Sequence, residues 1–284
     1  MLMNTRTIVP VALVAALALP LAAVAADPLA VFQPTRVRAV SVTPADERAL
    51  RALPPLEAFG TLRGTRSPGV DEVASASEAG ADAGFALRLP ANVPAALASD
   101  VHYEVTQRAR TSFTFDGAKA AAWAREHKVA LTALPAGLSG TTYTATLQPV
   151  AIVTYGTPPK GRRADRGARR TSFLAIIQAP LPSVTSSGAS LNALADWFAK
   201  QPGISPHLAA QVRAIGDPTQ TLPIPIRFDK QTAKPIAVDG VQGLAIGDET
   251  GIGSAIVWTK DGKLFAVGGT LAQSRVLALA NTLR

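Results

Sequence analysis

Apolar and polar residues alternate along many short stretches of this chain, and glycine, proline or Asp-Gly punctuates them. Thr35 to Val42 alternates weakly and predicts an edge strand. Leu56 to Arg63 predicts another. Gly84 to Pro94, "GFALRLPANVP", reads as a brief strand ending on two prolines four apart. His102 to Thr106 and Thr111 to Phe115 alternate around Gln107-Arg108-Ala109-Arg110 and read as a hairpin. Strands are expected over Thr141 to Leu147, Val150 to Tyr155 and Ser172 to Gln178. Thr221 to Phe228 has prolines at 223 and 225, which confines it to an edge. Ile236 to Val238, Val241 to Ile246, Ser254 to Thr259 and Lys263 to Val267 complete the set. The last two flank Lys260-Asp261-Gly262, and Asp-Gly fits a tight turn with positive φ.

Helical periodicity takes over between these strands. Thr43-Pro44-Ala45-Asp46 has a proline in the first turn and acids near the start, so a helix of about two turns follows. Ser75 to Ala83 reads as a second short helix. Asp116 can cap Gly117 to His127, whose apolar face includes Ala121, Trp123 and Ala124. Ser190 caps Leu191 to Lys200, and Leu191, Leu194, Trp197 and Phe198 share one face. Ser205-Pro206 opens the next helix and Gly216 closes it. The last runs from Ala272 to Leu283 and packs Val276, Leu279, Ala280 and Leu283 on the sheet. Interleaved helices and tightly turned strands predict an α+β fold: a curved antiparallel sheet with helices on one face, and a C-terminal hairpin followed by a helix.

The first 26 residues have a different character. Arg6 precedes an apolar run, Ile8 to Leu21, broken by Pro10 and Pro20, and Ala23-Val24-Ala25 gives an A-x-A cleavage pattern. This is the pattern of an export signal; retention as a membrane anchor is the competing reading. The expected organisation is a signal over 1–26, a leader with short elements over 27–72, and an α+β domain over 73–284, with room for two subdomains split near 180–190. The expected compartment is extracytoplasmic: periplasm, cell surface or secreted. The chain has no cysteine, so its stability must come from a core rather than from disulfides.

The net charge of +8 is concentrated. Lys160, Arg162, Arg163, Arg166, Arg169 and Arg170 lie in one short run, "KGRRADRGARR". It has no interleaved aromatic, which argues against nucleic-acid binding. It reads either as a solvated hairpin tip or as a contact for an anionic surface.

Catalytic patterns are absent from the sequence. His102, His127 and His207 have no acidic or histidine partner at metal-ligand spacing. Gly251-Ile252-Gly253-Ser254-Ala255 places its serine one position late for a nucleophile elbow, and a strand follows it. "GTPPKGRR" imitates a P-loop, but it lacks the Lys-Ser/Thr pair and its prolines remove phosphate-binding N–H groups. Asp248 and Glu249 are the best candidates for a cation or polar contact, although turn chemistry favours a plain turn there. No cofactor is expected.

Three segments carry a family likeness. "SEAGADAGFALRLPANVPAAL" (Ser77 to Leu97) resembles the opening of extracytoplasmic bacterial domains of unknown function found beyond the membrane helix of anti-sigma-factor-like proteins. "VDGVQGLAIGDETG" and "IVWTKDGKLFAVGGTLAQSRVLALANTLR" resemble their closing half. The resemblance implies a lipoprotein-carrier or sigma-regulator-like architecture and brings no catalytic residues. The expected function is a non-catalytic exported binding or sensory domain that contacts an envelope component or partner protein. The alternative is a carrier of an apolar ligand such as lipid, with Trp123, Trp197 and Trp258 lining a groove.

Overall fold

The structure is a computed structural model that describes residues 34–52, 54–64, 68–158, 172–202, 204–214, 220–227, 230–248 and 253–284. Among these residues the fold is α+β, with fourteen strands and seven helices. The strands are β1 (Arg36–Val42), β2 (Gly60–Gly64), β3 (Val70–Val73), β4 (Val101–Thr106), β5 (Ala109–Phe115), β6 (Thr142–Leu147), β7 (Ala151–Gly156), β8 (Phe173–Pro180), β9 (Ser183–Ser186), β10 (Thr221–Arg227), β11 (Gln231–Val238), β12 (Val241–Asp248), β13 (Ser254–Lys260) and β14 (Lys263–Gly269). The helices are α1 (Pro44–Ala52), α2 (Ala76–Ala83), α3 (Ala95–Ala98), α4 (Gly117–His127), α5 (Leu191–Ala199), α6 (Pro206–Ala214) and α7 (Gln273–Ala280). No described helix is long and apolar enough to cross a membrane.

An eight-stranded sheet has the order β11-β12-β13-β14-β8-β7-β4-β3, and a four-stranded one has β2-β5-β6-β9. The two are a single sheet folded at a corner. Pairing between β4 and β7 runs from Val101↔Tyr155 to Val105↔Ala151, and β5 and β6 resume in the same alignment from Ala109↔Leu147 to Thr114↔Thr142. The β7–β8 alignment, Ala151↔Gln178, likewise continues into β6–β9 as Thr146↔Ser183. No residue is gained or lost at the bend. The corner is held by Thr106, whose N–H donates to the Val150 carbonyl and whose hydroxyl accepts from Val150 N–H. Pro149 and Pro182, which cannot donate to a ladder, sit where pairing is interrupted.

This corrects the expected hairpin at Gln107-Arg108-Ala109-Arg110. β4 and β5 do not pair; they are successive pieces of one strand that turns the corner. The sequence there offers no glycine, asparagine or aspartate to adopt the positive φ that a tight hairpin turn needs.

Tight hairpins form at two of the Asp-Gly pairs. Asp261 and Gly262 take φ 50° and 71° between β13 and β14, and Asp239 and Gly240 take 50° and 75° between β11 and β12. The predicted edge strand β10 pairs only with β1, in parallel, with Arg38 opposite Pro223 and Val40 opposite Pro225. Strands of the expected leader are thus built into the body: β1 forms this ribbon, and β2 and β3 border the folded sheet.

Both faces of the large sheet are buried. Trp258, Phe265, Ile176, Val153 and Val267 face α7, whose Val276, Leu279 and Ala280 pack against them. Across the other face Ile152, Ile177, Ala266, Val257 and Leu244 form one cross-strand row. That row meets Phe113, Phe115 and Tyr143 from the folded-over strands, Trp197 from α5, and Leu222, Ile224 and Ile226 from β10. Burying this apolar area is the main driving force of the fold. The brief strand expected over Gly84–Pro94 is reduced to one bridge, Pro90 to Leu283. A buried amide replaces strand pairing there: Gln178 Nε2 donates to the Arg88 carbonyl at 2.7 Å, and its oxygen accepts from Arg88 N–H at 2.9 Å.

Candidate functional site

The sequence-predicted site residues do not converge. Lys160, Arg162, Arg163, Arg166, Arg169 and Arg170 lie outside the described residues, as does Glu249. Trp258 stacks on Phe265 with centroids 5.3 Å apart under α7. Trp197 is buried on the opposite side of the sheet, edge-on to Phe115 at 5.4 Å. Trp123 is half-buried on α4 and stacks on His127 at 4.1 Å. The three tryptophans therefore occupy three separate environments. Asp248 closes its own loop by accepting from Gly253 N–H at 3.2 Å.

Folding assembles two polar clusters outside the sequence-predicted sites. Asp46 is buried to within 1%. Its carboxylate accepts from the N–H and hydroxyl of Thr43, from the Ser205 hydroxyl, and from His207 Nδ1 at 3.0 Å. Burial pulls its pKa upward, but the hydrogen bonds from Ser205, Thr43 and His207 outweigh it and hold the group at about 2. Acid, histidine and serine are all present, yet the order is wrong for a nucleophile. A triad places the histidine between acid and serine. Here Ser205 donates directly to Asp46 and also caps α6 by accepting from Leu208 N–H. The cluster is a double helix cap that fastens α1 to α6.

His102 forms the second cluster at an edge of the sheet. Nδ1 lies 3.3 Å from Glu72 and Nε2 3.0 Å from Asp100. The hydrogen bond with Glu72 raises its pKa, burial opposes this, and Asp100 adds to the rise. Glu104, on the same face, is raised by burial and by the charge of Glu72. Asp100, His102 and Glu104 stand two apart on one strand edge, which was the sequence signal for this group. Among the described residues no group of three or more His, Cys, Asp or Glu is arranged to hold a metal ion.

A third feature is not a pocket but a face. On the four-stranded limb, Phe113, Phe115, Tyr143 and Val184 point into the core, so their neighbours point outward. Thr61, Thr114 and Thr142 form one cross-strand row. Arg63, Ser112, Thr144 and Thr185 form the next. Arg110, Thr146 and Ser183 form a third. The outward side of the limb thus carries eight hydroxyls and two guanidinium groups, with no carboxylate and no aliphatic or aromatic side chain. All are half-exposed or exposed. Strand geometry spaces them about 4.8 Å across the sheet and roughly 6.7 Å along each strand. Thr114 and Thr142 share a hydrogen bond of 2.8 Å, so the array is internally ordered. The run Thr142-Tyr143-Thr144-Ala145-Thr146 carried the signal, since its alternation puts every threonine on one side.

No family model matches the chain, and neither a curated protein nor a solved structure matches it. The likeness read in Ser77–Leu97 and in the closing segments rests on those residues alone.

Proposed function

We propose that this protein is a non-catalytic, exported recognition domain that contacts an envelope component through the outward face of its four-stranded limb. The observation that carries this reading is the hydroxyl array. Its groups both donate and accept hydrogen bonds, and they stand on a rigid sheet whose other side is core. A protein partner would ordinarily meet an apolar centre in such a patch. This face has none, which favours a hydrated, polar ligand. The Asp46 and His102 clusters support the non-catalytic part, because their polar atoms are engaged with one another. The signal-like first 26 residues support export.

The test is co-sedimentation of the purified protein with an insoluble envelope fraction. Wild type is expected in the pellet. A variant carrying Thr114→Ala, Thr144→Ala and Thr185→Ala should keep its melting midpoint within a few degrees and sediment at least tenfold more weakly. Equal sedimentation of variant and wild type, or none by either, would overturn the reading.

A further inference from the structure

We infer that the ligand of this face is a carboxylate-bearing polysaccharide, a linear polymer of uronic-acid type; this rests on the recognition face proposed above. Arg63 lies opposite Ser112, and Arg110 is two residues before Ser112 on the same strand. Both guanidinium groups therefore project from one side of the limb as diagonal neighbours, with Cα atoms roughly 7–8 Å apart. Among the described residues neither is in an ion pair. Two adjacent like charges on a sheet repel, and nothing in the outward rows compensates them. An anionic ligand does.

The class of anion follows from the rest of the face. An arginine fork matches carboxylate and phosphate alike. The two arginines stand at one side of an array of eight hydroxyls, whose hydrogen-bonding capacity a poly(glycerol phosphate) chain would leave largely unused. A sugar acid brings a carboxylate and ring hydroxyls in every residue, so one polymer satisfies both groups. Single-stranded nucleic acid would need aromatic platforms for its bases. The outward rows have none. Regular cross-strand rows suit an extended chain, because successive sugars can engage successive rows.

The experiment measures retention of the full chain on immobilised polygalacturonate, on dextran and on a poly(glycerol phosphate) polymer, each across a salt gradient. The inference predicts retention on polygalacturonate, little on the other two, and at least tenfold weaker binding for the double variant Arg63→Gln, Arg110→Gln. That variant changes only exposed side chains, and its melting midpoint verifies folding. A second variant with Arg162, Arg163, Arg169 and Arg170 all changed to Gln separates the face from the basic run. Three results overturn the inference: preference for poly(glycerol phosphate), retention abolished only by the 162–170 variant, or equal retention on dextran unaffected by the Arg63/Arg110 change. In the last case the hydroxyl-face reading stands if the threonine variant still loses envelope sedimentation. If the threonine variant sediments like wild type, both readings fall.

Discussion

Asp46 shows how one side chain can look catalytic and act as a fastener. Its carboxylate accepts hydrogen bonds from Thr43, Ser205 and His207. Because its folded pKa, about 2, lies below the unfolded value of 3.8, the pair stabilises the fold above pH 3.8 and that contribution is lost as pH falls toward 2. The shift corresponds to about 2 kcal/mol. Asp46→Ala should lower unfolding free energy at pH 7 by about 3 kcal/mol, because it strands buried donors as well as removing the charge. Urea titrations between pH 2 and 7 measure this; a flat difference between wild type and variant across that range would refute it. The helix caps were legible in sequence, since Thr43-Pro44-Ala45-Asp46 and Ser205-Pro206 are local patterns. Their meeting, 159 residues apart, was not. Gln178 was equally hidden. It is an amide in an apolar strand, and only the folded chain brings the Arg88 backbone against both its groups.

At the level of elements, the turns behave as the sequence suggests and the strand pairing does not. Asp261 and Gly262 hold the C-terminal hairpin at positive φ. Asp261 also reaches Arg88 at 3.2 Å, and Asp239 from the neighbouring turn reaches it at 3.4 Å. Asp261→Ala should therefore cost about 1 kcal/mol, mainly from the unfavourable left-handed backbone. It should leave envelope sedimentation unchanged, because the Asp261 side chain pairs with Arg88 and belongs to none of the outward rows of the limb. Loss of sedimentation at unchanged folding would refute that separation. His102 makes a pH-dependent link between β3 and the start of β4. Its folded pKa is raised above 6.5, so the link is fully present below that pH and is lost as pH rises through the folded value. Wild type should lose stability relative to His102→Gln as pH rises above 6.5. Hydrogen exchange at Val70–Val73 reports it, and identical exchange in the two proteins would contradict it. Pairing at the corner escaped sequence reading because alternation gives a strand's two faces and not its neighbour. His102–Thr106 and Thr111–Phe115 alternate equally well as hairpin arms or as one bent strand.

For the whole molecule, the fold class was legible and the proposed recognition surface only half so. Interleaved strands and helices, the Asp-Gly turns and the proline-marked edge strand β10 all point to an antiparallel α+β body, and that body is found. What no local pattern supplied was the bend that carries β5, β6 and β9 away from the main sheet. That bend turns the threonines of Thr142-Tyr143-Thr144-Ala145-Thr146 from ordinary strand residues into part of a continuous polar face. The tryptophans misled for the opposite reason: large aromatics signal burial, and Trp197 and Trp258 are spent on two different cores. Recognition through the limb is the central claim, and amide chemical-shift mapping with soluble polygalacturonate fragments tests it most directly. The largest shifts are expected at Arg110–Thr114, Thr142–Thr146 and Ser183–Thr185, with Ser254–Gly269 and α7 unmoved. Shifts concentrated around Trp258 and α7, with the limb silent, would contradict it.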